Sequence, residues 1–562
     1  MTNKAVARLL SDTAALIELT GGNAFRARTL SNASRQLQRL ETPVQEALAD
    51  GSLKAMRGFG KGIIAQIEEI LVTQTLGLYD QLLGAIPAGL MDMLRVKGLG
   101  TKKVRQLWTQ LGLTSLDELE RAAKTGQIAE LAGFGDKMQE KIIAGVQLLK
   151  RYRAQRRYAE AVALYEALAP RLLSLASVDT VHPTGSFRRK MDVVNALDVL
   201  LITQDKAQTA EALMNLLNPQ PTDDGRHVAD IDEGFQLRVA LALPAEAGTQ
   251  WFMTTGPEFH VHELQEIVAT LPTEADETAI YAAAGWPVVL PELRDTPQAT
   301  ALLPPDGLHL ITTADLQGTL HNHSTYSDGA HSLAEMADAA RAMGYAYFGI
   351  CDHSRSLTVA NGLSIERVYA QQDEIARLNA AYATDGGPAF QIFSGIESDI
   401  LADGSLDYPD DVLATFDFVV ASIHSRFNMS EAEATDRLIT AIENPYTTIL
   451  GHPTGRLLLS REGYPIDHAR IIEACAANCV AVELNANPYR LDLDWRWIRQ
   501  ATEAGCLISI NPDAHSIEQL ELIRWGVEVA RKGWLVSSQC LNAKSAHAFA
   551  AWLAGRSSTP RA

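Results

Sequence analysis

Up to about residue 160 the apolar positions recur every three or four residues, as in NKAVARLLSDTAALIEL and GIIAQIEEIL, and alternation with period two is nearly absent. This pattern predicts a helical region. Three segments inside it repeat one design: MRGFGKGIIAQIEEIL at 56–71, VKGLGTKKVRQLW at 96–108 and LAGFGDKMQEKII at 131–143 each set Gly-apolar-Gly before an amphipathic helix. The glycines permit a tight turn, and the unpaired N–H groups that open the next helix are free to hold a phosphate oxygen.

These are the marks of helix-hairpin-helix units. They make Gly58, Gly60, Lys61, Gly98, Gly100, Lys102, Gly133, Gly135 and Lys137 candidate DNA contacts, of a kind that grips backbone without reading sequence. Past residue 160 the period changes. A helix, YAEAVALYEALAPRLLSLA, precedes strand-like runs in SVDTVHPTGSF, NALDVLLIT, QLRVALALP and TQWFMTTG, which predicts an α+β unit. The Pro-rich stretch at 285–307 reads as an extended linker. Beyond it YAYFGICDHS, FQIFSGIES, FDFVVASIHS, TTILGHP, CVAVELNANP and CLISINPDAH each place a short apolar strand before a polar cluster, the rhythm of a β/α barrel.

Composition changes this picture in two ways. The formal charge of -19 divides unevenly: residues 1–160 carry 23 basic and 16 acidic side chains, the remainder 26 and 52. A basic helical part suits phosphate contact, and an acidic remainder suits metal-collecting carboxylates or a solvated surface. The five cysteines, Cys351, Cys475, Cys479, Cys506 and Cys540, form no CxxC pair and are expected to pack as small apolar residues in a reducing compartment. With no run of about 18 apolar residues, a soluble, cytoplasmic chain without a membrane partner is expected.

The densest chemistry lies after residue 315, where nine of the fourteen histidines fall. His321 and His323 are two apart and, on a strand end, would project to one side; Asp328 follows, then His353, Glu397, His424, His452, Asp513 and His515, each after an apolar strand. A barrel brings its strand ends to one rim. Six imidazoles and three carboxylates exceed what one ion takes, so two or three divalent metals are implied, and with them phosphoester hydrolysis. The mixed nitrogen and oxygen donors suit manganese, zinc or iron.

Taken together, LHNHSTYSDG, CDHS, GIES, SIHS, GHPTGR, ELNANP and NPDAH resemble the PHP (polymerase and histidinol phosphatase) domain, and the helical repeats with GSFRR, TTGPEF and LPELRD resemble bacterial family X DNA polymerases. The resemblance implies a multidomain α plus α/β chain. Its parts would be a helical 8 kDa-like domain at 1–85, helical fingers at 86–157, a nucleotidyltransferase-like palm at 158–240, thumb and linker at 241–312, and a distorted β/α PHP barrel at 313–562. It implies a manganese-dependent 3'-5' exonuclease acting in DNA repair, with manganese or zinc in the PHP site. Within that site His321, His323, Glu397 and Asp513 would hold one ion, Glu397, His424 and His452 a second, and Asp328, His353 and His515 a third. Arg456 is a candidate for steadying a substrate phosphate. The expected partner is gapped, nicked or 3'-recessed DNA, bound by a nucleoid-associated monomer.

The palm departs from the family. Where relatives hold two magnesium ions with an Asp-x-Asp pair and a third Asp, this chain has Ala196, Asp198 and Gln236. Gly185, Ser186, Arg189 and Asp198 are expected to retain a deoxynucleotide or DNA phosphate, with magnesium or manganese at the palm. Asp192 lies too far along its strand to replace a lost carboxylate. Asp230 and Asp232 are read as belonging to a hairpin turn. Gln66 stands where lyase-competent relatives carry lysine and cannot form an imine. A manganese-dependent gap-filling polymerase and a non-catalytic DNA-end scaffold are the alternative readings.

Overall fold

The computed structural model describes all residues except 2, 39, 41–43, 269–270, 272–275, 305–306 and 558–562. They form two compact units, Met1–Arg153 and Ala154–Ala562.

The first unit is helical, as its periodicity requires. Helix Asn3–Leu19 has apolar residues on two faces and serves two cores: Val6, Leu10 and Ile17 pack with Leu30, Ile64 and Ile67, while Leu16 and Leu19 pack with Leu90, Val104, Leu107 and Ile142. The three repeats have one geometry. Gly58, Gly98 and Gly133 take φ of 102°, 92° and 85°, which side chains rarely adopt, and the apolar residue after each, Phe59, Leu99 and Phe134, is buried. Helices Lys61–Thr73, Thr101–Leu111 and Asp136–Arg153 then begin.

In the second unit a mixed sheet joins β1 (Val178–Pro183), β2 (Ala196–Thr203), β3 (His227–Asp232) and β4 (Phe235–Ala242) in the order β1-β2-β4-β3, with Gln220–Pro221 at the outer edge. Helix Tyr158–Leu173 covers it, Leu168 and Leu172 meeting Leu197, Leu201 and Phe187. Two expectations are corrected here. TQWFMTTG is not a strand but most of helix Ala247–Thr255, because Phe252 and Thr255, three apart, share the buried side. The Pro-rich stretch is not an extended spacer: Val289, Leu293 and Ala299 are buried with Tyr281 and Phe252, and short helical turns form at Pro291–Leu293 and Ala299–Leu302. Its residues 305–306 lie outside the described residues.

The remaining strands are β5 (Gly318–Asn322), β6 (Tyr347–Ile350), β7 (Gln391–Asp399), β8 (Phe418–Ser422), β9 (Ile449–Leu450), β10 (Ala481–Asn485) and β11 (Ile508–Asn511). They are parallel and adjacent in sequence order, and a bridge from Asn322 to Ala514 brings the last beside the first, so the sheet nearly closes. Phe549, from the final helix, stacks on Tyr347 at 5.3 Å and meets Phe393 edge-on at 4.9 Å, filling one apolar layer with Leu320, Phe418 and Ile449. Gly349 and Gly395 sit against the Phe418 ring, where a Cβ would come within 2.7 Å and 2.5 Å of it. Cys351, Cys475, Cys506 and Cys540 are buried and unpaired, in keeping with a packing role, whereas Cys479 is exposed, against that expectation. Among the described residues no helix is long and apolar enough to cross a membrane.

Candidate metal centre

All nine ligand candidates meet at the C-terminal ends of β5 to β11. Glu397, buried at the end of β7, is the hub: its Oε1 lies 3.2 Å from His321 Nε2, 3.1 Å from His424 Nε2 and 3.1 Å from His452 Nε2, and its Oε2 2.8 Å from His353 Nδ1. Asp513 Oδ1 lies 3.1 Å from His323 Nε2, and Asp328 Oδ1 3.3 Å from His515 Nε2. Three groups have ligand atoms close enough to share an ion: His323, Asp328, His353 and His515; His321, His323 and Asp513; and His353, Glu397 and His424. Beyond the partition implied by resemblance, His323 also lies near the Asp328 group and His353 near the Glu397 group. Asp328 and His515 are the solvent-facing members, so the centre opens on their side.

His321 and His323 converge for a reason other than strand alternation. The register of β5 against β6 shifts between Thr319 and Asn322, and His321 takes φ 58°. Asp513 takes φ 53°. Left-handed backbone at two ligands is costly for non-glycine residues and persists where surrounding contacts enforce it.

The donor set fits divalent ions. Buried His323 Nδ1 and His452 Nδ1 lack hydrogen-bond partners, and His321 Nε2, His353 Nδ1 and Glu397 Oε2 are met only in ion pairs without hydrogen-bond geometry, an arrangement that is expensive unless something else satisfies it. Burial opposes the charge of Glu397, yet His424, His321 and His353 outweigh it and hold the carboxyl well below its ordinary range. Burial likewise opposes charge on His424 and His515, but Glu397 and Asp399 raise the first to about 9, and Asp328 and Asp513 raise the second to about 9. His323 is pushed down to about 3 by burial and by His515 and His353. The raised imidazoles, His321, His424 and His515, thus stand in as counter-charges to the carboxylates, a place a metal cation would take with release of protons.

A supporting layer went unread in the sequence. Glu483, fully buried on β10, accepts from His321 Nδ1 at 2.5 Å, from Asn511 Nδ2 at 2.8 Å and from the His452 N–H at 2.6 Å. Asp399 accepts from His424 Nδ1 at 3.0 Å, and Asp352 accepts from the Ser324 and Ser327 N–H groups at 2.8 Å and 3.1 Å, fixing the loop that carries Asp328. Such partners set the tautomer and aim of a metal-binding imidazole. The signal was present: Glu483 is a carboxylate inside the apolar run AVELN.

The phosphate role expected for Arg456 is corrected. Its guanidinium donates to Asp494 Oδ2 at 2.6 Å, Asp192 Oδ2 at 3.2 Å, the Arg490 carbonyl at 2.9 Å and the Leu491 carbonyl, so its donors are engaged in tying the palm-like sheet to the barrel. The same pair removes Asp192 from any palm site. Arg490 lies nearer the centre: its Nε forms an ion pair with Asp513 Oδ2 at 3.6 Å, and its carbonyl accepts from Arg456.

Comparison with known proteins settles the family. The chain is 34% identical to the Bacillus subtilis protein named DNA polymerase/3'-5' exonuclease PolX, over 97% of its own length and 98% of that relative. This chain belongs to the PolX family. Helix-hairpin-helix domain matches cover residues 1–76, a SAM-like helix-hairpin-helix tandem residues 90–147 and a PHP domain residues 319–487. The barrel is also similar to probable phosphatases: one of Caldanaerobacter subterraneus at 32% identity over 22% of this chain and 51% of its own, and one of Shewanella piezotolerans at 28% over 37% and 85%.

In the parallel pair of β2 and β4, Ala196 lies opposite Gln236 and Asp198 opposite Arg238. Ala196, Asp198 and Gln236, the positions singled out by resemblance, are therefore neighbours here, with one carboxylate among them. Asp198 packs against Gly185, where a Cβ would sit 2.4 Å from its Oδ2, and Arg226 lies 3.9 Å away. Burial raises the Asp198 carboxyl, against Arg238, Arg226 and Arg189. Asp230 lies across from Gln236 but accepts from the Gly234 N–H at 3.2 Å, and Asp232 pairs with Arg156 at 2.6 Å, as hairpin residues. Arg189, expected to hold phosphate, is clamped to Asp295 at 3.1 Å and to the Thr255 carbonyl. Its expected availability is corrected by that clamp. Ser186 sits in the turn Gly185–Arg188 beside Asp198.

In the helical unit Gly58, Gly60, Lys61, Gly98, Gly100, Lys102, Gly133, Gly135 and Lys137 lie at the three hairpin turns, with Lys61, Lys102 and Lys137 exposed. Gly60 and Gly100 enter their helices without a side-chain cap, leaving the first N–H groups open. The third helix opens instead on Asp136, an acid at the site of phosphate approach. Gln66 is partly buried on helix Lys61–Thr73.

Proposed function

We propose that this PolX-family chain is a DNA-repair 3'-5' exonuclease whose hydrolysis is run by the PHP centre, and that its palm positions DNA or nucleotide rather than extending it. The observation that carries the reading is a contrast. Eight potential ligands fall into groupings within 4.8 Å and His452 meets Glu397 at 3.1 Å, while Ala196 and Gln236 leave the palm one carboxylate.

Divalent ions held by His321, His323, Asp328, His353, Glu397, His424, His452, Asp513 and His515 would supply Lewis acidity and an activated water, and the donor set suits two or three of manganese or zinc. The chain's own residues do the rest. Glu483 and Asp399 keep the His321 and His424 rings aimed at the hub. Arg490, paired with Asp513 at 3.6 Å, would clamp the scissile phosphate and favour the charge that builds on its oxygens. The open hairpin helix starts of the basic N-terminal unit would hold duplex backbone, bringing gapped, nicked or 3'-recessed DNA without sequence preference. The proposed working division is 1–85, 86–157, 158–240, 241–312 and 313–562, in a monomer.

The test is incubation of 3'-recessed and gapped DNA with manganese, with and without deoxynucleotides. The expected result is shortening from the 3' end, lost by at least 100-fold in His323→Ala and kept in Asp198→Ala. Dominant extension, together with degradation unchanged in His323→Ala, would falsify the reading.

A further inference from the structure

Tyr489 is an exposed aromatic at the lip of the centre, 54% accessible, in the loop that follows β10. Single exposed aromatics are ordinary. This one differs in how it is held. Arg157, from the palm side of the same unit, lies over its ring at 3.9 Å from the centroid. That guanidinium is itself pinned by Glu160 and by the Leu458 carbonyl at 3.4 Å. The Tyr489 main chain is fixed at both ends, its N–H donating to Asn487 Oδ1 at 3.0 Å and its carbonyl accepting from the Leu458 N–H at 2.6 Å. One face of the ring is backed and the other open.

The next residue is Arg490, which pairs with Asp513 at 3.6 Å and whose carbonyl is held by Arg456 at 2.9 Å. Adjacent Cα atoms are about 3.8 Å apart. A strand whose phosphate is met by Arg490 therefore passes next to the residue that carries the exposed ring.

We propose that Tyr489, braced by Arg157, is a stacking platform for a base at the 3' end of a single strand, and that it makes the centre select nucleic acid over small phosphoesters. A fixed ring stacks on any base, because every base has a π-face, and it does so without sequence preference. The cation behind it adds stiffness at little further entropy cost. This proposal rests on the exonuclease reading, which supplies the strand.

Two measurements test it. A strand with 2-aminopurine at its 3' terminus, added with chelator present, should be quenched by the unaltered protein and by Tyr489→Phe, and not by Tyr489→Ala. With manganese, Tyr489→Ala should raise KM about 10-fold on an ordinary 3' end, the size expected of one lost stack, with little change in kcat. A strand ending in two abasic units should show the same loss in the unaltered protein and none further in Tyr489→Ala. Equal quenching by Tyr489→Ala, or equal loss on both strands, overturns the platform. Failure of the unaltered protein to shorten either strand overturns the exonuclease reading instead, while the quenching still reports on the ring.

Discussion

Glu483 shows how one residue can decide a site without touching its substrate. Its two oxygens serve His321, Asn511 and the His452 main chain from a fully buried position. Glutamine at 483 keeps the volume but turns one acceptor into a donor, so either the His321 Nδ1 or the His452 N–H loses its partner. Glu483→Gln is expected to weaken metal retention roughly 10- to 100-fold, measured by titrating a chelator against bound manganese. The nine ligands were legible because each follows an apolar strand. Glu483 leaves only the mark of a carboxylate in an apolar run, and Asp399 and Arg490 leave none, because a supporting residue is defined by what it faces.

At the scale of elements, the thumb-like helices Glu258–Ile267 and Glu277–Ala283 are joined through a buried histidine. His260 Nε2 meets Tyr281 Oη at 2.7 Å, and burial followed by the Arg294 charge holds the imidazole down to about 4. The folded form keeps it neutral, while the unfolded chain takes up a proton near 6.5. Stability should therefore fall as pH drops from about 6.5 toward 4 and level off below, with a slope of up to about 1.4 kcal/mol per unit. Urea melts at steps across that window should show the slope, and His260→Gln should flatten it. The same region held both misread elements, the helix Ala247–Thr255 and the buried Pro-rich stretch. Short apolar runs fit either period, and only the core they face chooses between helix and strand.

Over the whole second unit, charge rather than apolar area marks the seam between palm, thumb and barrel. Arg188 pairs with Glu277 at 2.6 Å, Arg189 and fully buried Lys532 share Asp295, and Glu292 holds Arg531 at 2.7 Å. In Asp295→Ala, Arg189 and Lys532 would face each other without a counter-charge. The expected cost is about 3–5 kcal/mol, read as a lower urea midpoint for the second unit's transition. This network also explains why GSFRRK, which reads as a phosphate-holding turn, is bound into the protein's own framework: its basic residues find acids from segments over 85 positions away.

The sequence by itself determined the helical repeats, the barrel rhythm, the nine candidate ligands and the Ala196 and Gln236 identities. All of these are local, since a period, a spacing or a residue identity is complete within a few positions. The tertiary structure decided which of the candidates come together, that His321 and Asp513 turn left-handed there, and that Arg456 is engaged with Asp494 and Asp192 while Arg490 pairs with Asp513. Those facts arise where strands and loops distant in sequence come within hydrogen-bond reach, and a guanidinium is free or engaged only with respect to its neighbours in space.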